Sequence, residues 1–120
     1  MGEALTIEVR HEQGRAIVTA AGEIDISTVT RLRERVFEMA ASGAPLVVDL
    51  NQVSFIDSVG LAVLVGAANR AAATGGSLQV TCAQPKICQL MRLTGLDRTI
   101  PLVSTLDEAL KALAAGRATS

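Results

Sequence analysis

PLVVDL, residues 45–50, is followed after NQVSFIDS by VGLAVLVGAANRA and then by SLQVTCA, and this order constrains the fold more than any other feature. PLVVDL does not alternate apolar and polar residues, so it predicts a strand covered on both faces, at the centre of a sheet. The middle segment is long and apolar enough for a buried helix, and ATGG ends it. SLQVTCA returns to alternation and reads as the next strand. Strand, helix, strand implies a right-handed parallel crossover.

The flanking segments extend this frame. LTIEVR (5–10) and RAIVTAA (15–21) alternate around the polar HEQG, which predicts a β-hairpin turning at Gly14. GEIDISTVTRLRERVFEMAASG then takes helical spacing. Ile26, Val29, Leu32, Val36 and Met39 form its apolar stripe, Asp25 and Ser27 are candidate caps, and Gly43 is the stop. Arg31, Arg33 and Arg35 read as a solvated face balanced by Glu34 and Glu38. QPKICQLMRLTG predicts a third helix with Pro85 in its first turn, Ile87, Leu90 and Met91 inward, and Gly95 at its end. TIPLV is a short strand or extended link. In STLDEALKALAAG, Thr105 and Glu108 have capping-box spacing, and Leu106, Leu110 and Leu113 face inward.

The order β-β-α-β-α-β-α-β-α implies one α/β domain over residues 1–116, a small mixed sheet with about four helices, and a frayed tail at 117–120. The chain has 120 residues, enough for a single core without disulfides or metals. Only Phe37 and Phe55 are aromatic, so that core is aliphatic.

Several function classes are disfavoured. A net charge of −1, with no Trp or Tyr, offers neither a cationic footprint nor stacking rings for nucleic acid. No apolar run has the length of a membrane span, and MGEALTIEVR lacks the order of a secretion signal, so a cytoplasmic location and no membrane insertion are expected. Cys82 and Cys88 read as reduced core thiols, and with His11 they make no metal set of recognisable spacing. No metal or cofactor is assigned.

The polar pair Asp57-Ser58 opens the apolar helix, at the strand-to-helix junction where α/β domains commonly place their sites. Asp57 suits the N-cap, and Ser58 then falls at about the first helical position, facing outward. Such a pair is ordinarily a cap and nothing more. The near-uniform apolarity of LAVLVGAA implies either full burial or a patch for a partner, and Gly60 and Gly66 suggest close approach by another chain. GEID (22–25) supplies a second polar turn at the end of a strand. Ser58 as an enzyme nucleophile is poorly supported, because no G-x-S-x-G elbow is present and the only histidine base, His11, lies in a predicted surface turn. Asp57 as a phospho-acceptor lacks the acidic pair that receiver domains place after their first strand.

VDLNQVSFIDSVGLAVLVGAANRA closely resembles the signature region of the STAS domain of anti-sigma factor antagonists, an apolar strand, a D-S-x-G-L motif and an apolar helix. GEID and MRLTGLDR resemble the corresponding family segments, so the resemblance covers essentially the whole chain and implies a STAS-like fold. It implies a regulator, not an enzyme, that binds an anti-sigma factor with ATP-dependent serine kinase activity when unphosphorylated and so releases a sigma factor. Phosphorylation of Ser58 would switch it off, and a phosphatase would reset it. The resemblance carries partner-binding roles onto Glu23, Asp25, Asp57, Ser58, Val59, Gly60 and Leu61. Val59 stands where many members have a second Ser, leaving Ser58 the only acceptor in the motif. On this reading the helix N-terminus offers free N–H donors to the phosphate, and the switch acts on the interface rather than the fold. The alternative within the family is an accessory subunit of a membrane transport or sensory complex without a phosphoswitch.

Overall fold

The computed structural model describes residues 5–111. A hairpin of β1 (Thr6–Glu12) and β2 (Arg15–Ile24) leads into α1 (Val29–Ala41), β3 (Leu46–Ile56), α2 (Ser58–Ala73), β4 (Leu78–Thr81), α3 (Pro85–Leu93), the short α4 (Leu96–Thr99) and β5 (Leu102–Val103). A last helix, α5, covers 106–111. The five strands lie in sequence order in one sheet; β1 pairs antiparallel with β2, and β2 through β5 are parallel. The expected mixed sheet is therefore present, with α4 as a helix the sequence reading did not include.

Alternation along the strands sorts the sheet into two faces. Val18, Leu46, Val48, Leu50 and Val80 point to one face and pack with Leu32 and Val36 of α1, Leu61 and Leu64 of α2, and Ile87 and Met91 of α3. Ile17 and Val47 point to the other face, where they meet Ala109 of α5, with Leu106 and Leu110 alongside. β3 is thus covered on both faces, which is why its sequence carries no alternation around Val47 and Val48.

Three expectations are corrected. The apolar stripe of α1 is Val29, Leu32, Val36 and Ala40, with Met39 partly buried and Ile26 75% exposed. Ile26 leaves the stripe because residues 25–28 fold as a turn ahead of the helix, tied by Asp25. β3 runs on to Ile56, so residues 51–56 are strand rather than connection. His11 lies in β1, not in a turn; the turn is made by Gln13 and Gly14, both at positive φ.

The capping box at Thr105 and Glu108 is formed reciprocally: the Glu108 amide donates to Thr105 Oγ1 at 3.1 Å, and the Thr105 amide donates to Glu108 Oε1 at 3.3 Å. The expectations for Leu113 and for the tail at 117–120 lie outside the described residues. Among the described residues, no helix is long and apolar enough to cross a membrane.

Candidate functional site

β2 and β3 run parallel and side by side, so their C-terminal ends deliver two polar turns to one edge of the sheet. Glu23 pairs with Phe55 and Ile24 with Ile56, and the Asp57 amide then donates to the Ile24 carbonyl at 3.3 Å. That bond carries the strand register into the loop and sets Asp57-Ser58 beside the 23–28 turn. A register shift between Gly22 and Glu23 bulges the pair here, and Ser54 Oγ donates to the Gly22 carbonyl at 3.3 Å. Bulges of this kind re-aim side chains next to sites.

Asp57 is the N-cap of α2, in extended backbone geometry, and its Oδ1 accepts from the Val59 amide at 3.0 Å and the Gly60 amide at 3.3 Å. Ser58 is then the first residue of the helix and is exposed. Two of the donors that the sequence reading left free for a phosphate are therefore already taken by the Asp57 carboxylate. A phosphate on Ser58 would meet a neighbouring negative charge on a helix end whose dipole that charge already partly offsets.

The facing turn is tied as tightly. Asp25 Oδ1 accepts from the Ser27 amide (2.9 Å), the Ser27 hydroxyl (2.7 Å) and the Thr28 amide (3.2 Å). Thr28 Oγ1 donates to the Glu23 carbonyl at 2.8 Å and accepts from the Asp25 amide at 3.0 Å. These bonds, the Ser27 hydroxyl first, hold the Asp25 carboxyl below its ordinary value. Asp25 stays ionised there.

The other residues of the motif divide by face. Val59 is half-buried, whereas Gly60 is buried and Leu61 is 5% exposed and part of the core. The close approach that Gly60 permits is intramolecular: an added Cβ would stand 2.6 Å from Ile24 Cγ2 and 2.7 Å from Ile56 Cγ1. Gly66 likewise admits the Phe37 ring of α1, with Cζ at 2.8 Å from such a Cβ. The expectation that these glycines serve another chain is overturned by packing within this one. The apolarity of α2 has the same explanation, since Leu61, Val63, Leu64, Ala67 and Ala71 are buried and its outer face carries Ser58, Ala62 and Asn69.

Two apolar side chains at this edge escape the sequence reading. Ile26 is 75% exposed and Phe55 is 47% exposed. Periodicity assigned Ile26 to a helix stripe, and only the Asp25-tied turn shows that it projects outward. Phe55 sits in an apolar run, and only the bulge shows which way it faces.

His11 pairs with Ala16, whose other neighbour is Leu46 at the start of β3. Ser58 follows the far end of that strand, roughly 30 Å away at about 3.3 Å per residue. No histidine base serves Ser58 within the described chain. Among the described residues, no three His, Cys, Asp or Glu side chains gather as a metal set.

Comparison with known proteins gives a consistent assignment. A family model described as the STAS domain matches residues 6–109. The chain is similar to the anti-sigma-B factor antagonist of Bacillus subtilis (strain 168), with 34% identity over 98 residues, covering 82% of this chain and 90% of that one. It is similar to the anti-sigma-F factor antagonist RsfB of Mycobacterium tuberculosis (strain H37Rv), with 34% identity over 118 residues, covering 96% of this chain and 94% of that one. Among solved structures, an anti-sigma factor antagonist from Mycobacterium paratuberculosis superposes with a TM-score of 0.85 at 35% identity, covering 93% of this chain and 97% of that one.

Proposed function

The chain belongs to the STAS domain family, and on that premise we propose that it is an anti-sigma factor antagonist switched by phosphorylation of Ser58. The observation that carries this reading is the exposure of Ser58 at the first position of α2, directly after the Asp57 cap, whose amide donates to the Ile24 carbonyl in the acidic 23–25 segment. Unphosphorylated, the chain binds an anti-sigma factor and frees the sigma factor that it held. The same anti-sigma factor is an ATP-dependent serine kinase.

Transfer requires the γ-phosphate of ATP to lie in line with Ser58 Oγ. The oxygen attacks the γ-phosphorus, the bond to the ADP oxygen breaks, and the hydroxyl proton passes to a base on the kinase. The position of Ser58 suits this: it is exposed, and its own hydroxyl is not needed for the cap, which Asp57 makes. The product carries roughly −1.5 to −2 charges at pH 7. It stands beside Asp57 and against the β-phosphate of the departing nucleotide, like charges brought together in a partly desolvated interface. A penalty of about 3 kcal/mol would weaken binding more than a hundredfold. Release follows, and a phosphatase restores the hydroxyl.

The test compares Ser58→Ala with Ser58→Asp for binding to the purified anti-sigma factor in the presence of ATP, with phosphosite mapping of the wild-type chain. Ser58→Ala is expected to bind and stay unmodified, and Ser58→Asp to lose binding. Equal binding by both variants would overturn the charge mechanism, and phosphate elsewhere than Ser58 would overturn the site.

A further inference from the structure

We infer that Ile26 and Phe55 are the apolar anchors by which this chain seats on its partner, and that the partner presents an apolar pocket with a cationic rim. The inference rests on the reading above in taking that partner to be an anti-sigma factor kinase.

Both side chains are costly where they stand. An aliphatic residue 75% exposed at the tip of a turn and a phenylalanine 47% exposed at a strand end give up the burial that the other large apolar side chains of the described fold gain, Leu93 at the end of α3 excepted. Neither is there by looseness of the chain. Ile26 is held out by a turn in which Asp25 Oδ1 accepts three hydrogen bonds and Thr28 closes back onto the Glu23 carbonyl. Phe55 is fixed by its ladder position opposite Glu23, next to the bulge. Groups held rigidly in place lose little conformational entropy on binding, which is the condition under which a small apolar patch becomes a strong contact.

The charge around them selects the occupant. The two segments that build this edge, GEIDIS (22–27) and QVSFIDSV (52–59), contain Glu23, Asp25 and Asp57 and no Lys, Arg or His. A second copy of the same edge would bring acid against acid. A surface with an apolar pocket rimmed by Arg or Lys meets both features at once. The two kinds of contact divide the work: the anchors supply affinity whether or not Ser58 carries phosphate, and Ser58 supplies the gate.

The experiment measures binding to the purified anti-sigma factor from the same organism as this chain, with a non-hydrolysable ATP analogue so that Ser58 stays unmodified. Wild type is compared with Ile26→Ala, Phe55→Ala and Glu23→Lys. Each alanine variant is expected to lose affinity by about tenfold or more, mainly in dissociation rate, while unfolding close to the wild-type denaturant midpoint. Glu23→Lys is expected to slow association, with the difference shrinking as salt rises. If the wild type binds and both alanine variants bind within twofold of it, the anchor proposal is overturned and the antagonist reading stands. If the wild type self-associates in sedimentation and Phe55→Ala abolishes that, the patch is a contact between copies and the proposal is overturned. If the wild type does not bind at all while remaining folded, the proposal and the functional reading fall together.

Discussion

Asp57 Oδ1 accepts the Val59 amide at 3.0 Å, so the residue before the phosphorylation candidate, and not that residue itself, closes the N-terminus of α2. Asp57→Ala is expected to destabilise the fold by about 1 kcal/mol, the ordinary cost of losing an N-cap, with Asp57→Ser recovering part of it. Urea unfolding reads both. Ser58→Ala should leave the midpoint nearly unchanged, because the hydroxyl makes no part of the cap.

The two glycines of α2 should respond unequally to alanine. At Gly60 the new methyl meets Ile24 and Ile56, β-branched side chains held in the core, and Gly60→Ala is expected to cost about 1–3 kcal/mol despite its better helix propensity. At Gly66 it meets the outer edge of the Phe37 ring, over which the guanidinium groups of Arg33 and Arg70 stand at 5.1 and 5.0 Å from the centroid. That ring can tilt. Gly66→Ala is expected within about 1 kcal/mol of wild type, the propensity gain offsetting disturbed cation–π stacking. Equal losses at both sites in thermal unfolding would contradict this account.

Asn51 joins three segments at the top of the sheet. Its Oδ1 accepts the Ala83 amide at 2.6 Å, its Nδ2 donates to the Ser104 carbonyl at 3.0 Å, and its own carbonyl accepts from Gln84 Nε2 at 2.8 Å. Asn51→Ala removes the first two bonds and leaves backbone groups to find water. A loss of about 1–3 kcal/mol is expected, with faster amide exchange at Ala83 as its local signature.

Cys82 provides a pH test. Burial first, and then the neighbouring Cys88 thiol, raise its pKa from 9.0 to about 11. A folded-state pKa raised above the unfolded one gives stability that is complete below pH 9 and lost as pH rises through about 11. Stability is therefore expected to fall across that window, and the fall to be smaller in Cys82→Ala. At pH 8 the native thiol should resist iodoacetamide and react only on unfolding.

Strand β3 and the cap of α2 were legible in the sequence because each is a local matter. PLVVDL without alternation has no stable arrangement except between two covered faces, and Asp before an apolar helical run has one favoured place, the N-cap. The same holds for the box at Thr105 and Glu108. These features depend on residues a few positions apart, and the chain alone settles them.

Ile26, Phe55 and Gly60 belong to the other class. The spacing of Ile26 fitted the α1 stripe, and what removed it was a turn closed by Asp25 and Thr28 against the end of β2. The direction of Phe55 depends on a bulge between two strands, and one slipped residue in a strand exchanges inside for outside. Gly60 reads as a helix defect until Ile24 and Ile56 are placed against it. By itself the sequence determined the order of the strands and of every helix but α4, the aliphatic core and the Asp57 cap. Only the tertiary structure decided which faces turn outward at the Ser58 edge, because strand register and cross-element packing are set between segments far apart in the chain.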